Sequence, residues 1–197
     1  MTLTELQAEV YTLTNRPDLV AETLAAVRSA TLSLHQSDYY YKDLIETGVV
    51  FTAPAFKQQL DYRVLIPNWR ALKYIRKTDV SGDDEGVFLK VISVPELVED
   101  EYGINQKDVC YVAGQVVQIL SSTSFQYAIV GCYVNPNITV AGYNSWIAID
   151  HPYAIVFDAA AKVFKMIGDT EQFAAYTGIA ALQRQEVMIT NIQAVGY

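Results

Sequence analysis

Cysteine and histidine are scarce in this chain, which carries 2 of each. Cys110 and Cys132 stand in strand-like runs, so buried thiols are expected rather than a disulfide framework or a metal pair. His35 and His151 fall at expected helix ends, and two imidazoles without a third donor make a poor metal site. His151, beside Pro152, reads as a capping or surface residue rather than a general base. A Gly-rich phosphate loop, a Gly-x-Ser-x-Gly elbow, a paired-histidine zinc helix and a Cys-x-x-Cys are all missing. The expectation is a protein that is not an enzyme and holds no cofactor and no metal.

Basic charge is also short, with 14 Lys and Arg against 22 Asp and Glu and a net charge of −8. Such a surface does not wrap nucleic acid by neutralising phosphates, although it can line a passage along which DNA slides without sticking. No apolar run approaches the ~18 residues that a membrane span needs. The N-terminus lacks the basic-then-apolar order of a signal peptide. No membrane association and a reducing cytoplasm are expected.

What is present is apolar patterning, with 51% hydrophobic and 18% charged residues, as an ordered globular chain requires. From Pro152 the residues Val156, Ala159, Ala160, Val163 and Ile167 recur at helical spacing. Asp150 is the expected N-cap and Pro152 fits the first turn. Gly168 suits a left-handed C-cap, and Asp169 with Gln172 suits the next capping box. Phe173, Tyr176, Ala180 and Val187 continue a second helix, so the two must fold back as a hairpin. At the other end, Leu3, Leu6, Val10 and Leu13 mark a first helix capped by Thr2 or Thr4. Pro17 and Asp18 start a second helix, in which Val20, Leu24, Val27, Thr31 and Leu34 form a packing seam.

Between them the period changes to that of strands. Tyr62–Ile66, Leu72–Lys77, Val87–Val94, Cys110–Leu120 and Phe125–Val134 are rich in β-branched and aromatic residues. Ser81–Gly86 reads as a polar hairpin tip, and Gly114 as a bulge or a close backbone contact. Apart from a short stretch at Pro95–Tyr102, no crossover helix separates the strands. The fold class expected is therefore α+β. Residues 1–48 and 151–197 form one helical bundle, and 49–150 form an inserted, mainly antiparallel β-sandwich or open barrel. The acidic stretches 83–85 and 96–101 read as solvated tips or faces.

Tyrosine is abundant, at 14 residues, and Tyr39, Tyr40 and Tyr41 are adjacent. Three neighbours cannot all face one way, so at least one should be exposed or at a subunit or tail interface. Surplus tyrosine on an acidic chain without catalytic motifs favours contact with other proteins.

The segment Pro152-Tyr-Ala-Ile-Val-Phe-Asp-Ala-Ala-Ala, then Gly168-Asp169-Thr-Glu171, Phe173, Tyr176 and Asn191, resembles the C-terminal signature of head-to-tail adaptor proteins of tailed bacteriophages. Leu3-Thr-Glu-Leu6, Pro17-Asp-Leu-Val and the run from His35 through Asp38 to Asp43-Leu44 resemble N-terminal parts of such proteins. The likeness covers the two ends. The middle is similar only to the kind of β insertion that some short-tailed phages carry. The resemblance implies a virion structural protein in the neck, between head and tail, found in the host cytoplasm before assembly. It implies a homo-oligomeric ring, twelve-fold, that binds the portal protein, gives a tail or nozzle protein its platform and extends the DNA channel without specific DNA binding. It also implies that a C-terminal tail, Thr190–Tyr197, reaches into portal grooves through Ile192, Val195 and Tyr197. Alternatives of another kind are a tail terminator or other neck protein, and a small-ligand-binding or enzymatic domain.

Overall fold

The computed structural model describes residues 1–78, 86–93 and 107–195, with side chains through residue 192. The chain divides into two compact units: Met1–Asp43 with Asn135–Tyr197, and Leu44–Val134. It is mixed α and β, as expected. Both unit boundaries differ from those read in the sequence. Leu44–Val50 already pair with Tyr127–Tyr133, and Ile147 and Ala148 lie in the buried core of the helical unit.

In the helical unit, α1 spans Leu3–Thr14, with Thr2 and Glu5 forming the capping box at its start and Asn15 in the left-handed conformation at its end. Helix α2 spans Val20–Gln36 and begins later than Pro17-Asp18 suggested, because Asp18 pairs with Arg16 instead of capping. Val20, expected in the seam, is exposed. A short helix at Trp146–Asp150, here α4, stands within residues 49–150, which were expected to belong to the β insertion. Helix α5 covers Pro152–Ile167 and α6 covers Thr170–Val195. Asp150 ends α4 and bonds Lys42 at 2.6 Å, so His151, not Asp150, precedes α5. Gly168 takes φ 81, and Asp169 Oδ1 accepts the Gln172 N–H, so that turn matches its reading. One buried cluster draws on Leu6 and Val10 of α1, Val27 and Leu34 of α2, Val156 and Val163 of α5, and Val187 of α6.

In the other unit, β1 is Leu44–Asp61, β2 Trp69–Thr78, β3 Val87–Val91, β4 Val109–Ala113 and β5 Val116–Val134. Tyr62–Leu65, expected as a strand, is one helical turn, α3, because Asp61 accepts the N–H groups of Arg63 and Val64. The longest surprise is β1. Pro54 has no N–H to give a ladder and disguises the strand, and the register shifts on both sides of Ala55 absorb it. Gly114 makes no bulge, and its carbonyl accepts the Tyr62 hydroxyl at 2.9 Å. It takes φ +63 in the tight turn that joins Ala113 to its partner Val116.

β5 bonds β1 along one edge, and β2 and β4 along the other. β3 joins β2 to β4, so the sheet closes into a small barrel rather than the open barrel or sandwich expected. Closure follows from the length of β5, whose two halves serve different neighbours. β3 and β4 run parallel and the other pairings are antiparallel. Phe51, Leu60, Ile75, Val117, Ile119, Phe125 and Val130 fill the interior. The expected hairpin tip at 81–86 (save Gly86), the stretch at 95–102 and the acidic stretches 83–85 and 96–101 lie outside the described residues.

Candidate functional site

The residues expected to meet partners fall in different surroundings, all within the helical unit. Tyr39 and Tyr41 are exposed, at 56% and 40%, whereas Tyr40 is fully buried. Tyr40 packs edge-on against Trp146 and shares a hydrogen bond with Ser37, and burial raises its phenol above the ordinary value. It is a core residue and leaves the interface set. Its neighbours remain in that set, because adjacent side chains at a turn point apart.

The expected C-terminal tail is not extended. α6 continues through Val195, so Ile192 and Val195 stand on a helix rather than beyond one. Its continuation has a local cause: Asn191 is buried and accepts the Tyr41 N–H at 3.1 Å, holding the last turns in place. Ile192 is 52% exposed. The side chain of Val195, and Tyr197 altogether, lie outside the described residues.

The same helix exposes more than the tail reading foresaw. Its inner face carries Ala180, Val187 and Asn191, with Phe173 and Tyr176 packed on the core. Its outer face carries Ile179, Leu182, Met188, Ile189 and Ile192, all exposed. A helix with apolar residues on both faces has one face too many for a single core. The signal was in the sequence, as a second apolar series at Leu182, Ile189 and Ile192 running beside the inner one.

A second constellation is one the sequence reading missed. His35 Nδ1 lies 2.8 Å from Asp43 Oδ1, and His35 Nε2 lies 2.9 Å from Ser145 Oγ. A carboxylate only accepts, so Nδ1 carries a proton, and in the neutral ring Nε2 accepts from the Ser145 hydroxyl. The connectivity is that of a nucleophile, a base and its orienting acid. Its setting is different. Ser145 is 4% exposed and its Oγ also accepts the Ala148 N–H, capping α4. His35 is 1% exposed and Asp43 takes a further bond from Trp146 Nε1 at 2.8 Å. A cavity of about 510 Å³ is lined by Met1, Thr2, Glu5, Tyr143 and Ser145, among others. The hydroxyl is thus tied to a helix start, and the imidazole joins α2 to Asp43 just after it and to Ser145 far along the chain. Separations of 8 and 110 residues hid the trio from any local pattern.

In the barrel, Lys77 Nζ donates to Asp108 Oδ1 at 2.6 Å, to Ser121 Oγ at 2.7 Å and to Thr123 Oγ1 at 3.1 Å. The Lys77 bond holds the Asp108 carboxyl well below its usual range. Cys110 and Cys132 are buried and free, and burial pushes their thiols up to about 12 and about 11. Among the described residues no group of three His, Cys, Asp or Glu side chains could hold a metal ion, and no helix is long and apolar enough to cross a membrane.

No known family model matches this chain, and no curated protein is detectably similar to it.

Proposed function

We propose that the chain is a virion structural protein, a head-to-tail adaptor whose ring joins the portal to the tail or nozzle and extends the DNA channel. The observation that carries this reading is the apolar outer face of α6, which ends in Ile192 at the position expected to meet the portal. Burying each such side chain against a groove contributes about 1–3 kcal/mol, and a ring repeats the gain at every subunit. The exposed Tyr39 and Tyr41 suit a subunit or tail contact. The acidic net charge suits a lumen through which DNA slides, with self, portal and tail proteins as partners and the virion neck as location. In this reading the helices of both chain ends form one bundle, the His35 trio is a structural tie, and the protein is not an enzyme.

The test is docking to portal-bearing heads. Ile192→Asp should leave thermal melting unchanged, because the side chain is exposed, and should strongly weaken docking. Unimpaired docking of that variant would remove this face from the portal contact. Deleting 190–197 is the poorer experiment, since it also takes away Asn191 and its bond to Tyr41.

A further inference from the structure

We propose that the cavity beside α3 in the barrel unit binds a nucleotide unit, its ring against Tyr62 and Trp69 and its phosphate held by Arg63 and Arg70. The cavity measures about 670 Å³, a size that takes up a small molecule. Its lining comes from α3, the start of β2, the residues around the end of β3, and β4.

The aromatic wall is built in advance. Tyr62 and Trp69 stack with ring centroids 4.6 Å apart and planes inclined by 23°. They meet because the Ile66 N–H closes on the Tyr62 carbonyl at 2.9 Å and Asn68, at φ 64, turns the chain back. The Tyr62 hydroxyl donates to the Gly114 carbonyl at 2.9 Å, so the ring is fixed before any ligand arrives. Both aromatic side chains stay half-buried, and Ile66, Leu72 and Ile92 add apolar lining.

The charge of the cavity runs against that of the chain. Arg63 and Arg70 line it, and none of its described lining residues is acidic, although the net charge of the chain is −8. Such a lining selects an anion. A carboxylate is filled by one guanidinium fork, whereas a terminal phosphate has oxygens and charge enough for both. The aromatic and apolar lining then takes a flat ring, since any base can stack on an aromatic face. The same described residues offer no carboxylate, imidazole or thiol as a base, so the role assigned is binding and not turnover. A free mononucleotide and one unit of a single strand share this chemistry. The site lies in the barrel unit and stands apart from the adaptor reading, which rests on α6.

NMR titration of the full chain with adenosine monophosphate should shift the Trp69 indole signal. The indole of Trp146, bonded to Asp43 in the helical unit, should stay in place as the control. Adenosine and inorganic phosphate should each bind at least about tenfold more weakly, because each keeps only part of the contacts. Arg63 is exposed, so Arg63→Ala should keep its thermal melting and lose about tenfold in affinity for adenosine monophosphate. A short oligoadenylate that binds more tightly than the mononucleotide would assign the single strand as the source. Equal or weaker binding of the oligomer would assign the free nucleotide. A Trp69 signal unmoved by millimolar adenosine monophosphate overturns the proposal. So does adenosine or phosphate binding as tightly as the nucleotide, or full nucleotide affinity in Arg63→Ala.

Discussion

The ring of Tyr74 lies across Gly131, over the spot where a Cβ would stand. Gly131 is paired with Glu46 of β1 on one side and Tyr74 of β2 on the other. With no side chain between them, the Tyr74 hydroxyl reaches across β5 and donates to Glu46. Gly131→Ala should therefore push the ring away, break that bond and cost about 1–3 kcal/mol. Chemical denaturation of the variant checks this. Tyr74→Ala with Gly131→Ala should cost less than the sum of the two single changes.

Replacing His35 by alanine leaves Asp43 and Ser145 without the group that joins them, in a buried place. The expected loss is about 2–4 kcal/mol, read as a lower denaturation midpoint with an unchanged slope. A structural tie also means that a serine-directed fluorophosphonate should not label Ser145 in the native protein. Labelling that His35→Ala abolishes would assign the trio a catalytic role instead.

The thiols of Cys110 and Cys132 sit at about 12 and about 11, so almost none is thiolate near neutrality. Both should resist a thiol reagent in the folded protein and react in denaturant. Rapid native labelling of either would mean that the barrel opens far more often than its packing suggests.

Asp108 has its folded pKa depressed, chiefly by the hydrogen bond from Lys77. Its contribution to stability is present above the unfolded carboxylate value of about 3.9 and is lost as pH falls through the lower folded value. A depressed folded pKa means the unfolded state takes up the proton first, so acid favours unfolding. Asp108→Asn should be less stable near neutrality and should lose part of the wild-type decline below about pH 4. Asparagine suits the test because residue 108 has φ 59, which it tolerates. The carboxylate is one-third exposed, so solvent screening keeps the effect modest.

The sequence by itself determined the elements whose causes are local. A cap at Thr2 or Thr4, Gly168 with Asp169, and the apolar steps of α2, α5 and α6 announced helices, because caps and periodicity act within a few residues. The change to alternating β-branched residues announced the sheet. Only the tertiary structure decided what depends on distant partners. β1 reads poorly as a strand because of Pro54, and exists because Tyr127–Tyr133 and Val116–Leu120 pair with its two halves. The sheet closes because β5 is long enough to serve β2 and β4 on one edge, and no residue pattern states that. Tyr40 is buried between exposed neighbours because Trp146 comes back to it. His35 meets Ser145 only after the chain has left the helical unit and returned to it. Caps and periods are written in adjacent residues, whereas closure and buried polar ties are properties of contacts that form only when the whole chain has packed.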